Sequence, residues 1–367
     1  MNQTVSSPRS SNLELYRIVC MLMIVAHHFV LHSGLQDCAG ASPISSNSIF
    51  TLLLGMWGKT GINCFLMITG YFMCTKKITF RKFLKLLLEV YFYSILIYIV
   101  LLIGGYETFS PTRIFVLLMP VWHLSTNFTS CFLAFFLTIP FLNILIQHMN
   151  RKQHALLIIL MLGLFSVLGS IPTFFVALNF VFWFGIIYLI ASYIRLYPAP
   201  IYDNNKIWGP VTLLCILLAI GSVVFMQVFF KKEAYYFVSN SHRIFAVLVA
   251  VSSFLWFKNL KIKYSAVINT IGASMFGVFL IHDNSDAMRQ WLWKDFIQGA
   301  SHFSDPFPSL VLFSLGVILA VFITCTLIDI ARIRLVESPF FRWFDNNPRT
   351  VSLTEKVQRS LSGEDGS

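Results

Sequence analysis

The sequence predicts an all-α, polytopic membrane protein with about ten transmembrane helices, and three observations carry that prediction. Of the 367 residues, 57% are hydrophobic and 12% charged, whereas soluble domains average about 45–50% and about 25%. The apolar residues gather into ten runs, most of them near the ~20 residues that a helix needs to cross the hydrocarbon. Basic residues, finally, alternate between the loops. With the N-terminus inside, outside segments hold only Arg113, Lys231, Lys232, Arg243, Arg289 and Lys294. Apart from Lys59, every other Lys and Arg falls inside. Retention of basic loops in the cytoplasm explains that asymmetry and puts both termini there.

The runs are, in order, 13–32, 48–73, 83–104, 127–147, 154–171, 174–194, 208–230, 243–257, 265–282 and 308–331. The second contains Gly55, Gly58, Lys59, Thr60 and Gly61, so an interfacial piece followed by the true span is expected there. Residues 105–126, with Pro111 and Pro120, read as a loop carrying a short interfacial helix. Residues 1–10 form a short cytoplasmic N-terminus, 11–345 the membrane domain, and 346–367 a polar segment without apolar periodicity, expected as a disordered cytoplasmic tail. The first run exceeds the ~7–15 residues of a signal-peptide core and has no A-x-A-like end, so cleavage is not expected.

Several classes fall away. A net charge of +11 would suit nucleic acid in a soluble chain, but loop retention accounts for it here and no nucleic-acid partner is expected. The seven cysteines show no CxxC or other ligand spacing, so neither a disulfide framework nor a metal site is predicted. P-loop, GxSxG, HExxH and dinucleotide fingerprints are missing.

The first helix carries the main chemical signal. Ser11 followed by Glu14 has the form of a capping box. From Arg17 to His28 is eleven steps of about 100° each, roughly 20° beyond three full turns, so the two side chains share a face. At 1.5 Å rise they stand about 16 Å apart along the axis. His27 points about 80° away and need not line the same cavity. Arg17 alone could snorkel to headgroups, and His28 alone could be a packing residue. Together on one stripe they indicate a functional path, because intramembrane ionisable groups usually line one.

Further polar groups flank the spans. Lys59 needs a partner or water at its depth, whereas Thr69 and Gly70 read as small residues for helix packing. Lys76–Lys85 is basic at the inner mouth. His123 follows Trp122 at the outer start of the fourth span, and His282 and Asp283 end the ninth. If Lys59, His123 and His282 converge with His28, they outline an outward-facing acceptor pocket. Glu337 reads as a cytoplasmic surface residue or cap.

Arg17 and His28, "FLMITGYF" (65–72), the basic start of the third span, "WHL" (122–124), "FLIH" (279–282) and "VESPF" (336–340) occur in this order. Over about residues 12–343 the chain thereby resembles acyltransferase family 3, bacterial integral-membrane O-acyltransferases of surface polysaccharides. It departs from the usual pattern in Thr69 for Ser, in Lys-rich Arg81, Lys82 and Lys85, and in "ESP" for "ERP". Lysines weaken bidentate phosphate recognition. The hydrolase-like domain that some members carry is not in the sequence, so a stand-alone enzyme is expected.

The resemblance implies acyl-CoA, usually acetyl-CoA, as donor substrate, a saccharide hydroxyl, possibly lipid-linked, as acceptor, no bound cofactor, and a bacterial plasma membrane location. It implies Arg17 and His28 as the functional pair and Arg81, Lys82 and Lys85 as the site of the CoA phosphates. His28 would serve as general base or carry the acyl group covalently, with the base role preferred. The rival reading is a transporter or flippase in which Arg17 and His28 line a substrate path. Proton coupling would then need acids at membrane depth, where Glu89 is the main candidate and Asp329 lies at the inner end of the last run, and that scarcity argues against it. A non-catalytic subunit is the third reading.

Overall fold

A computed structural model describes residues 10–41, 44–122, 124, 127–230 and 233–362. It is helical, with no strand among the described residues. The helices, in chain order, are α1 (Ser11–His32), α2 (Leu35–Ala41), α3 (Ser46–Gly55), α4 (Gly58–Met73), α5 (Phe80–Ile103), α6 (Pro111–Leu118) and α7 (Phe128–His148). There follow α8 (Arg151–Met161), α9 (Phe180–Leu196), α10 (Asn205–Phe230), α11 (Ile244–Lys258), α12 (Ala266–Ala273), α13 (Met275–His282) and α14 (Asp286–Arg289). The chain then forms α15 (Phe307–Arg332), α16 (Ser338–Asn346) and α17 (Pro348–Ser362).

Among the described residues, seven helical segments are long and apolar enough to cross a membrane, or eight if the pair Ala266–His282 and Asp286–His302, bent by 91°, counts as one. The sequence led to an expectation of ten. The sixth and eighth runs fold as the shorter helices α9 and α11, of 17 and 15 residues. Both are largely buried, with Trp183, Phe184 and Phe254 at the centre of the core. Helices shielded by neighbours need not present a full hydrocarbon length to lipid.

Helix α1 packs against α3, α4, α12, α13 and α15, and its apolar face, Tyr16, Cys20, Ile24 and Phe29, is buried. The outermost helices show the reverse pattern. Leu319, Ile323 and Leu327 of α15 recur at the i, i+4, i+8 spacing of one helix face and are exposed. Leu213 and Leu217 of α10 and Ile95, Ile99 and Ile103 of α5 do the same. Apolar stripes that no protein covers are the surface a lipid-facing helix presents, and the protein is multi-pass in the membrane.

The second run breaks where expected, between α3 and α4. Gly70 lets α4 approach α9 closely: a Cβ there would lie 2.8 Å from Ala191 Cβ. Thr69 returns its hydroxyl to Phe65 O at 3.2 Å. Helix α6 occupies the loop expected to carry a short helix.

Three expectations are corrected. Ser11 and Glu14 make no capping box: Ser11 lies within the helix and donates to Asn269 Oδ1 at 3.1 Å, while Glu14 holds Arg17. Glu337 is not a surface residue, because it sits between Arg332 Nη1 (2.9 Å) and Lys85 Nζ (2.6 Å). Residues 348–362 of the expected disordered tail are helical. Asn347 Oδ1 caps the first turn by accepting from Arg349 N at 3.0 Å, and Pro348 sits in the first helical position.

Candidate functional site

Two helix ends meet at the site. Helix α1 ends at His32, where Ser33 and the left-handed Gly34 (φ 83°) terminate it. Helix α13 ends at His282, with Asp283 as its C-cap. Ser285 then caps α14 by accepting from Met288 N at 3.2 Å, which turns Arg289 back towards Asp283.

His28 sits at the junction. Its Nδ1 lies 3.0 Å from His282 Nε2, and His282 Nδ1 lies 2.6 Å from the Val278 carbonyl. A carbonyl only accepts, so His282 carries its hydrogen on Nδ1 and, when neutral, offers Nε2 as an acceptor. His28 must then donate from Nδ1, which leaves Nε2 of the neutral ring with a free lone pair. That nitrogen lies 3.7 Å from Asp283 Oδ2. Asp283 Oδ1 faces His32 Nε2 at 3.6 Å and Arg289 Nε at 2.5 Å, and Arg289 Nη1 reaches Asp286 at 2.7 Å. The fixed tautomer makes His28 Nε2 a proton acceptor, with a carboxylate beside it to hold the resulting imidazolium.

His28 lines a cavity of about 560 Å³ together with Lys59, His32, Asp283, Arg289 and Phe180. Ile24, Ile62 and Val90 also border it. The Lys59 ammonium stands 5.3 Å from the Phe180 ring centroid, a cation–π contact. A second cavity of about 540 Å³ shares His27, Leu31 and Lys59 with the first. His27 therefore borders the same cavity as His28 despite its angular offset. Its Nδ1 donates to Gly55 O at 2.6 Å, and Gly58 packs against its ring so closely that a Cβ would collide.

The remaining candidates are distributed as follows. His282 is 0% exposed and stands behind His28 rather than on the cavity wall. His123 lies outside the described residues. Arg17 pairs with Glu14 at 2.6 Å at the opposite end of α1. Arg81 makes a two-pronged pair with Asp345 (2.7 Å to each oxygen), and Lys85 binds Glu337. Lys82 is exposed and donates to Lys77 O at 3.1 Å. Of that basic trio, Lys82 alone has no carboxylate within ion-pair reach among the described residues.

Sequence reasoning passed over His32 and Arg289. His32 had a signal, since it lies four residues after His28 and so shares its face. Arg289 had none. Together His28, His32 and Asp283 form the one three-donor cluster that a cation could use among the described residues, their donor atoms within 4.8 Å of one another. The guanidinium of Arg289 already neutralises Asp283 there.

Near the Arg17 end of the bundle lies a buried ionic knot. Arg332 bonds Glu89 Oε1 (3.0 Å), Asp329 Oδ1 (2.7 Å) and Glu337, and Tyr93 donates to Asp329 Oδ1 at 2.7 Å. Both acids that a proton-coupled transporter would need are thus tied to one guanidinium.

A family model described as an acyltransferase domain matches residues 10–329. No curated protein and no solved structure matches.

Proposed function

The chain belongs to this acyltransferase family, family 3, and is a membrane acyltransferase; we propose that it moves an acetyl group from cytosolic acetyl-CoA to a hydroxyl of a cell-envelope polysaccharide or its lipid-linked precursor. The host membrane in this reading is a bacterial plasma membrane. The observation that carries it is the hydrogen bonding of His28 Nδ1 to His282, which leaves Nε2 of the neutral ring free in a side chain lining a cavity large enough for a sugar and an acyl arm.

In this reaction the acceptor oxygen attacks the thioester carbonyl while His28 Nε2 takes its proton. Asp283 and His282 hold the imidazolium that forms. The tetrahedral intermediate then expels the thiolate, which takes the proton back from His28, leaving free CoA and an O-acyl ester. One imidazole can both take the acceptor's proton and return it to the departing thiolate. Lys59 and Arg289 lie on the same wall as sources of positive charge for the developing oxyanion.

At the other end of α1, Arg17 is assigned to the donor. About 16 Å from His28 along the axis and already held by Glu14 at 2.6 Å, it suits the upper arm of CoA rather than its phosphates, leaving the extended pantetheine to reach the base. Lys82 is the preferred phosphate contact of the basic trio, because Arg81 and Lys85 are engaged by Asp345 and Glu337.

The test uses proteoliposomes with labelled acetyl-CoA on the Arg17 side and envelope polysaccharide on the His28 side. Ester-linked label on the glycan is the expected result. Label that stays with CoA while the glycan itself crosses the membrane would support transport instead.

A further inference from the structure

The second cavity differs in chemistry from the one that holds His28. Its walls come from α2, α3, the end of α10 and residues 233–239. Gln227 lines it and is 1% exposed. The Gln227 amide nitrogen donates weakly to Ala39 O at 3.4 Å, and the amide oxygen has no partner. Buried amide oxygens are normally satisfied, so a buried acceptor without a partner, in a side chain that lines a cavity, points to a donor that arrives with a ligand.

The other lining groups narrow the ligand class. Asp37 and Glu233 bring carboxylates, Gln36 an amide, and Tyr235 and Tyr236 aromatic rings; the hydroxyl of Tyr235 is already used on Leu52 O at 2.9 Å. Lys59, on the shared wall, is the cation among the charged side chains of the described residues lining it. Acidic acceptors beside ring faces disfavour phosphates and uronic acids and suit neutral hydroxyl donors. A volume of about 540 Å³ lies within the range of small-molecule sites. His27, Leu31 and Lys59 separate the two cavities and border both.

We propose that the second cavity is a distal saccharide subsite, holding a neutral sugar unit next to the one acylated beside His28, with Gln227 accepting a sugar hydroxyl. This rests on the reading of the acceptor as a saccharide. It predicts that the enzyme recognises at least two linked sugar units, one on each side of the wall formed by His27 and Lys59.

The full chain in lipid nanodiscs is probed with an array of neutral, amino and uronic mono- to tetrasaccharides. Neutral oligosaccharides of two or more units should be retained more strongly than monosaccharides or uronic acids. Gln227→Leu should weaken oligosaccharide retention at least tenfold and leave monosaccharide retention unchanged. Asp37→Asn, at an exposed position, should weaken oligosaccharide retention several-fold. Equal retention by wild type and Gln227→Leu at wild-type melting temperature would overturn the proposal, as would preference for uronic acids or no retained sugar at all. Thiol release from acetyl-CoA is followed in parallel. Its failure with Gln227-dependent sugar binding intact would overturn the donor assignment and leave the subsite standing.

Discussion

His28 Nδ1 lies 3.0 Å from Nε2 of His282, a residue 254 positions later in the chain. Because His282 spends its own Nδ1 hydrogen on Val278 O at 2.6 Å, the pair has one consistent arrangement when both rings are neutral. The two helix ends thereby fix which nitrogen of the neutral His28 ring keeps its lone pair. A ring free to take the other tautomer would present a hydrogen where the reaction needs a lone pair.

His282→Phe removes that acceptor while keeping bulk in a fully buried position. We expect kcat to fall about 10–100-fold, by analogy with groups that orient a functional imidazole, with the KM for acetyl-CoA unchanged. Steady-state thiol release at varied donor concentration separates the two parameters.

Asp283→Asn removes the carboxylate beside His28 Nε2 and strands Arg289 on Asp286, which is exposed. Loss of charge stabilisation of the imidazolium predicts a kcat at least tenfold lower. Arg289→Lys, which keeps a cation but not the guanidinium fork, should retain more activity than Arg289→Ala. Parallel kinetics on the three variants check this order.

Arg332→Ala leaves Glu89, Asp329 and Glu337 clustered without their shared cation. Breaking a buried ionic group by removing one partner costs about 3–5 kcal/mol, so the variant should melt well below wild type in detergent. Combining Arg332→Met with Glu89→Gln and Asp329→Asn should recover much of that loss. Size-exclusion profiles and melting curves measure it.

Gly58→Ala places a methyl group against the His27 ring. Overpacking of this kind costs about 1–3 kcal/mol and should pull His27 from Gly55 O. The double variant Gly58→Ala/His27→Ala should be more stable than Gly58→Ala alone, a coupling that a thermal double-mutant cycle reads directly.

Much of this architecture is legible in the sequence, because hydrocarbon thickness fixes how long an exposed apolar helix must be. The break between α3 and α4 showed as the glycines around Lys59, and α6 as the segment between Pro111 and Pro120. Runs 174–194 and 243–257 were harder: α9 and α11 are enclosed by other helices, so hydropathy marks them without fixing their length. The tail misled because its apolar residues, such as Val351 and Leu353, are few in a polar segment, and Asn347 and Pro348 start a helix there.

At the site, one helix's geometry aligns Arg17 with His28 from sequence alone. The pairing of His28 with His282 depends on how α13 packs on α1, and no local pattern reports it. The basic residues of α5 looked like an anion site for the same reason: Asp345 and Glu337, which hold Arg81 and Lys85, lie some 250 positions away in sequence and adjacent only in the fold.

The most direct test of His28 as the base is acceptor-dependent thiol release from acetyl-CoA by proteoliposomes carrying wild type or His28→Ala, with acetyl-CoA binding measured on both. We predict a loss of about 10²–10⁴-fold in turnover with donor binding retained. Turnover in His28→Ala at the wild-type rate, or a folded wild type that neither binds nor consumes acetyl-CoA, would contradict it.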